Sequence, residues 1–264
     1  TTYYVRPYVI NENGTYYGEQ ISFTTVQDGK LPGVFSVSGT KQVKFSQGNL
    51  QYQASTNTWR FAEHQYDMVG KGYGLTDEDN WCYVGGTIPN SDNRKIISST
   101  YSGWIDLFGW GTGNNPTNAS KNDEDYPTFV DWGVNKISNG GNVSNAWFTL
   151  SYDEWKYLLD DRPNASAKQG VAMVNGVNGL VLLPDDWTLP DGAHFTSGFA
   201  SNGGYEYYKT VNTYTASEWT LMEEAGAVFL PAADDRDGTS MNNVGTNGYW
   251  SSTFYSSNYA YSVY

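Results

Sequence analysis

Residues 215–236 read TASEWTLMEEAGAVFLPAADDR, and a second segment follows the same order, opening SYDEWKYLLDD at 151–161 and closing GLVLLPDDW at 179–187. In each, a hydroxyl residue stands three places before a glutamate. Ser151 can accept from the Glu154 amide while Glu154 reaches back, and Thr215 and Glu218 repeat the arrangement, so both sites start helices. Trp155, Leu158 and Leu159 then share one face, as do Trp219 and Met222, and Gly226 suits the left-handed backbone that closes a helix. The apolar runs that follow end in Leu-Pro and acids. They read as buried strands that proline terminates, because it has no N–H for a ladder. A few helices set among many short strands predict an α+β fold with an antiparallel sheet.

Upstream, VFSVSGTKQVKFSQGNLQYQASTNTWRFA (34–62) alternates apolar and polar residues in short stretches broken by turn residues, which predicts an antiparallel meander. Residues 69–145 have almost no periodicity. They carry the acidic patches 77–79 and 123–125 and the aromatic island GWIDLFGWG at 103–111, whose rings are expected to pin the segment to the core. The first 25 residues, TTYYVRPYVINENGTYYGEQISFTT, read as two strands around a turn at Asn13-Gly14. They resemble the last two strands of fibronectin-III or immunoglobulin-like modules. The expected organisation is therefore a C-terminal hairpin of such a module at 1–25, a linker at 26–33 and a main domain at 34–264.

The chain has 264 residues, with 22 Tyr, 10 Trp and 29 Gly, a composition suited to β-rich structure with many turns. Fifteen basic against 28 acidic residues give a net charge of -13, which repels phosphate backbones and anionic lipid heads. Neither nucleic acid nor a membrane surface is an expected partner, and no run of apolar residues is long enough for a spanning helix. Cys82 is the one cysteine, which excludes an internal disulfide and thiolate-rich metal sites. His64 and His194 read as structural or solvated. A structural calcium in an acidic loop is the one cofactor left open.

The ordered blocks GNLQYQASTNTWRFAEHQYD (48–67), GWIDLFGWGT (103–112), LSYDEWKYLLDDR (150–162), GLVLLPDDW (179–187), EWTLMEEAGAVFLPAADDRDG (218–238) and NGYWSST (247–253) carry a resemblance. Together they are similar to surface proteins of gut bacteria with the C-type-lectin-like fold of formylglycine-generating enzymes, and to the variable proteins of diversity-generating retroelements. The resemblance spans residues 34–264. It implies a C-type-lectin-like domain, antiparallel sheets with two helices, in which 248–253 form a central strand and its approach, with flanking residues contacting ligand. Family members commonly carry an aromatic residue and arginine after the last Leu-Pro strand, where this chain has Asp234-Asp235-Arg236. They also continue past the last alternating strand to a closing strand.

The stretch 234–264 is dominated by Asn, Tyr, Ser and Asp, the types found at diversified positions of the retroelement proteins. The same mixture suits recognition on physical grounds: Tyr supplies stiff amphipathic area, and Ser, Asn and Asp adapt their hydrogen bonds. The expected ligand-binding residues are Asp234, Asp235, Arg236, Asp237, Phe254, Tyr255, Ser257, Asn258, Tyr259 and Tyr261, with Trp187 and Tyr205 near the rim. Formylglycine chemistry lacks its second cysteine, and no Gly-x-Ser-x-Gly elbow is present. Glycoside hydrolysis needs only two carboxylates, but with 28 acids no pair stands out. The expectation is a non-enzymatic, extracellular, cell-surface adhesin or receptor-type module that binds a protein or glycan on another cell or virus. A phage tail is the alternative location, and a stalk or fimbrial subunit or a glycoside hydrolase the alternative functions.

Overall fold

The computed structural model describes residues 2–24, 28–69, 82–83, 96–120, 122–198, 212–232, 236–237, 240–241, 248–256 and 259–263. At the N-terminus, β1 (Thr2–Val5) pairs antiparallel with β4 (Ile21–Thr24), and β2 (Tyr8–Asn11) with β3 (Gly14–Tyr17), making one long two-stranded ribbon. The turn lies one residue earlier than its sequence signal. Asn11 pairs with Gly14, Glu12 and Asn13 form the loop, and Asn11 Oδ1 accepts from the Asn13 amide at 2.8 Å, while Gly14 takes the positive φ of 129°. Every residue from Tyr4 to Ser22 is exposed, so the ribbon buries little of its own surface.

Within the segment expected as a linker, residues 28–33 are bound to the body. The Gln47 amide donates to the Gly29 carbonyl at 2.7 Å, the Leu31 amide to the Phe45 carbonyl at 2.9 Å, and Leu31 is buried. The expected meander follows as two hairpins, β5 (Phe35–Ser36) with β6 (Gln42–Val43) and β7 (Leu50–Gln53) with β8 (Thr58–Phe61). On β8 burial alternates, so Trp59 and Phe61 enter the core while Thr58 and Arg60 stay partly accessible. Strand β9 (Cys82–Tyr83) lies in a small separate sheet, and β10 (Trp104–Ile105) adds to the other edge of β7.

Both capping boxes form. Ser151 and Glu154 open α1 (Tyr152–Lys156), which widens into a π-helical turn at 157–161 closed by the Arg162 amide on the Tyr157 carbonyl at 2.8 Å. Strands β11 (Gln169–Val174) and β12 (Val177–Leu182) make a hairpin whose turn, Asn175-Gly176, has φ of 47° and 77°, as the tight primed turn requires. Strand β13 (Thr213–Tyr214) pairs parallel to β11, a departure from the antiparallel expectation. Fully buried Asn212 explains it: its amide donates to the Val171 and Thr196 carbonyls, both at 2.8 Å, and locks the incoming chain alongside β11. Thr215 and Glu218 then open α2 (Ala216–Glu224), and Gly226 ends it with φ of 101°.

Strand β14 (Val228–Pro231) returns antiparallel beside β12. Proline does not end the pairing as expected. Pro231 sits opposite Gly179 where no N–H is called for, and the Ala232 amide carries the ladder one step further to the Asn178 carbonyl at 2.8 Å. This strand pair is buried on both faces. Leu182, Val228 and Leu230 pack with Leu31, Phe35, Trp155 and Leu158, while Val181, Leu183 and Phe229 pack with Tyr214, Trp219 and Met222. A third cluster joins Tyr52, Trp59, Phe61, Ile105, Phe108 and Ile137, so the aromatic island is pinned to the core as its rings implied.

The chain closes with β15 (Arg236–Asp237), β16 (Ser240–Met241), β17 (Tyr249–Ser256) and β18 (Tyr259–Val263). β15, β16 and β9 form one sheet, and β17 pairs with β18. The resemblance implied a central strand at 248–253, but among the described residues β17 has a strand on one side alone. The chain approaching α1 occupies the other: the Ser252 amide donates to the Leu150 carbonyl at 2.9 Å, and the Tyr152 amide to Thr253 Oγ1 at 2.9 Å.

One buried cation ties these parts together. The Arg162 guanidinium, 2% exposed, donates to the Leu183 carbonyl at 3.0 Å and to Asp185 Oδ1 at 3.3 Å. Asp185 Oδ2 in turn accepts from the Ser36 amide at 2.8 Å, the Ser36 hydroxyl at 2.7 Å and Gln42 Nε2 at 3.2 Å. Burial alone would raise the Asp185 pKa, but the hydrogen bonds from Ser36 and Gln42, with the Arg162 charge, outweigh it and hold the carboxyl below its ordinary value. A folded pKa below the unfolded one stabilises the fold above the unfolded value, near ~4, and that contribution disappears as pH falls through the folded value. Asp185→Asn should therefore lose about 2 kcal/mol at pH 7. Its thermal midpoint should fall less steeply than that of the parent below about pH 4; parallel pH profiles would refute this account.

Candidate functional site

Irregular backbone has to satisfy its polar groups through side chains or water. At the root of the terminal hairpin, side chains do so. Trp110 Nε1 donates to the Ser251 carbonyl at 3.0 Å, Trp250 Nε1 to the Phe108 carbonyl at 3.2 Å, and the Tyr249 hydroxyl to Asn49 Oδ1 at 2.9 Å. Together with the bond that the Ser252 amide donates and the one that Thr253 Oγ1 accepts, these fix residues 249–253 on the body. Tyr249 as a whole is half-buried. Burial of its hydroxyl raises the phenol pKa, the Asn49 bond works against this, and the Asp106 carboxylate adds to the rise.

Beside this root lies a cavity of about 310 Å³, formed where the three core clusters meet. Its walls come from distant stretches: Phe45 to Leu50, Asp106 to Gly109, Asp131 to Gly133, Trp147 to Leu150, Trp155 on α1, Val228 to Leu230 on β14, and Gly248 to Trp250. Rings surround it in contact series. Phe45, Trp155 and Tyr249 follow one another at 6.1 and 6.5 Å, Phe108 and Trp132 lie 6.4 Å apart, and Phe61 meets Trp147 edge-on at 4.6 Å. Phe148 and Trp250 are exposed, at 52% and 37%.

The polar groups of the wall divide by role. Asp131 Oδ1 accepts from the Gly133 amide and Oδ2 from the Thr149 amide, each at 2.8 Å, so this carboxylate caps the short 3-10 turn at 132–134 and holds the next strand of wall in place. Gly133 is required there, since a Cβ would lie 1.7 Å from the Trp147 carbonyl oxygen. Asp106 is 1% exposed, and its Oδ2 accepts from the Val69 amide at 2.7 Å. Trp132 and Trp147 donate their indole N–H groups to Thr112 Oγ1 and the Gly140 carbonyl. Trp155 differs: it is 5% exposed, and its Nε1 has no hydrogen-bond partner among the described residues. Leu107, with φ of 53°, holds a left-handed backbone in the same wall, a conformation that costs a residue with a Cβ about 1–2 kcal/mol.

Asp234, Asp235, Ser257, Asn258 and Tyr205, all expected in the binding surface, lie outside the described residues. Arg236 and Asp237 form β15, and Phe254, Tyr255, Tyr259 and Tyr261 lie on β17 and β18, where Phe254 pairs with Ala260 and Ser256 with Tyr259; for these the backbone alone is described. The structure thus places four of the expected aromatics on one hairpin. Trp187, expected at the rim, is half-buried against the cluster of Trp219 and Phe229. His64 and His194 are exposed and stack on Tyr66 and Tyr214 at 5.1 and 4.7 Å.

Sequence reasoning missed the cavity. Asp131 and Trp132 lie in the stretch without periodicity and Trp147 and Phe148 just after it, where aromatic density is the available signal; Trp155 reads as core, and the island around Asp106 as a pin. Among the described residues no group of three or more His, Cys, Asp or Glu could hold a metal ion, and no helix is long and apolar enough to cross a membrane. The chain matches no family model, and no curated protein or solved structure matches it.

Tyr249→Phe removes the donor to Asn49 and leaves that amide oxygen short of a partner. Urea unfolding should show a loss of about 1–2 kcal/mol with an unchanged slope. An unchanged midpoint would mean that this bond does not anchor the hairpin.

Proposed function

We propose that the chain is an extracellular ligand-binding module of the adhesin or receptor type, with a C-type-lectin-like body that presents its terminal hairpin. The observation that carries this reading is the aromatic cavity whose wall includes Gly248-Tyr249-Trp250, the entry to that hairpin. A fixed root followed by strands of Tyr, Ser and Ala separates the residues that hold the fold from those free to vary. The α+β architecture and the order of its two helix-then-strand units support the lectin-like assignment, and the Tyr-, Ser- and Asn-rich terminus supports a retroelement-diversified surface. The ligand is a protein or glycan on another cell or virus, met at a cell surface. Capping by Asp131 occupies one of the two carboxylates of the cavity with backbone amides, which favours recognition over glycoside hydrolysis.

A stalk or fimbrial subunit is the second reading, favoured by one observation: among the described residues β18 has no strand on its outer edge, so a neighbour could add one. The triple variant Tyr255→Ala, Tyr259→Ala, Tyr261→Ala distinguishes the two. Fluorescently labelled chain is applied to a panel of intact bacterial and host cells, and the same samples are run by analytical size exclusion. Recognition through the hairpin predicts cell binding that the triple variant loses, with an unchanged thermal midpoint and a monomer throughout. Concentration-dependent self-association without cell binding would select the subunit reading instead.

A further inference from the structure

We propose that Asn13 is a site of spontaneous covalent modification, where the Gly14 backbone nitrogen displaces the side-chain amide and leaves isoaspartate or aspartate at the tip of the N-terminal ribbon.

The chain holds six Asn-Gly pairs, which begin at Asn13, Asn139, Asn175, Asn178, Asn202 and Asn247. Glycine has no Cβ to obstruct its own nitrogen, so each pair has the composition for ring closure. Asn202 and Asn247 lie outside the described residues. The fold sorts the other four.

Three of them are locked. Asn139 Oδ1 accepts from the Phe61 amide at 2.7 Å and its Nδ2 donates to the Phe61 carbonyl at 2.9 Å, while the Gly140 amide donates to the Ile137 carbonyl at 2.9 Å. Both reacting groups are thus held in other bonds. Asn178 and Gly179 lie within β12, between β11 and β14, and Gly179 is buried. Asn175 is exposed in its turn, but Val174 and Val177 on either side are buried, and the Asn175 amide donates to the Tyr214 carbonyl at 2.8 Å. Moving Asn175 and Gly176 out of that turn requires a core hairpin to open.

Asn13 is held by far less. It is exposed, and among the described residues its one hydrogen bond is that of its backbone amide to Asn11 Oδ1. A Cβ built on Gly14 would meet nothing within 4 Å, so the space around the attacking residue is open. Gly14 is restrained by its pairing with Asn11, at the end of a ribbon whose residues from Tyr4 to Ser22 are all exposed. A two-stranded ribbon of this kind is marginal by itself and opens at little cost.

The reaction needs water and no other reagent. The deprotonated Gly14 nitrogen bonds to Asn13 Cγ, the bond from Cγ to Nδ2 breaks, and that nitrogen leaves as ammonia. A five-membered succinimide remains. Water then opens it at one of two bonds: cleavage between the ring nitrogen and Cγ gives aspartate, and cleavage between the ring nitrogen and the main-chain carbonyl carbon gives isoaspartate. Aspartate adds a charge alone. Isoaspartate routes the main chain through the side chain, and so adds one carbon to the two-residue loop whose length sets the register of Tyr8–Asn11 against Gly14–Tyr17.

The test keeps the whole chain in mildly alkaline and mildly acidic buffer, samples it over weeks, and maps it by proteolysis and mass spectrometry. In alkaline buffer the Asn13 peptide should convert at least about tenfold faster than those of Asn139, Asn175 and Asn178. It should yield two products of equal mass, one of them methylated by isoaspartyl methyltransferase, and acid should slow it. Asn13→Gln, which would have to close a six-membered ring, should lose the early signal. In urea the four rates should converge. Hydrogen exchange of the aged chain should rise over residues 8–17 and stay unchanged in β11 and β12. Similar rates at the four sites in the folded chain, conversion of Asn13 to aspartate alone, or rates that stay apart in urea would overturn the proposal. Unchanged exchange in the aged ribbon would overturn the loss of register.

Discussion

The body depends on a strand pair with no wet face. β12 and β14 are covered on both sides, so their residues alternate between two cores: Val228 and Leu230 to one, Phe229 to the other. Truncating Phe229 would cost on the order of 3–5 kcal/mol by the usual cavity arithmetic. Each capped helix docks on one side of this wall, α1 through Trp155 and α2 through Trp219 and Met222. The proximity of the two cores follows from that arrangement, and so does the junction where the third cluster meets them incompletely and leaves a cavity.

Around that junction the protein uses side chains where regular structure would use backbone. Trp110, Trp147 and Trp250 donate to carbonyls, and Asp131 accepts from two amides; farther away, Asn212 ties two separate stretches together. A long aperiodic region folds stably because its tryptophans both fill the core and satisfy peptide groups. This also limits how far the region can be altered, because replacing such an indole removes volume and a donor together.

The sequence made the local devices plain. Both capping boxes, both Leu-Pro strands, the meander and Gly226 depend on neighbours within a few residues, and they formed where their spacing put them. Three expectations failed for reasons outside any local window. Pro231 stays in its ladder because the partner there needs no N–H; β13 runs parallel because buried Asn212 bridges to Val171; and β17, which among the described residues has one strand beside it, takes bonds from the start of α1 on its other edge. Residues 28–33 looked like a tether but contribute Leu31 to a core. The cavity was invisible because many segments far apart in the chain build it, and a tryptophan filling a core and one lining a hollow have the same letter. The anchoring of residues 249–253 by Asn49, Phe108 and Leu150 left no mark in the sequence.

The N-terminal ribbon obeys different physics from the body. Tyr8, Val9 and Ile10 face solvent beside Tyr16 and Tyr17, and the strands pair only with one another among the described residues. Such a ribbon has two outer edges of amides and carbonyls that water satisfies when copies are far apart. Brought side by side at high concentration, copies would find in each other's edges a partner as good as water and drier at the side chains. Concentration would then matter to the pairing of the first two dozen residues in a way that it does not matter to the core.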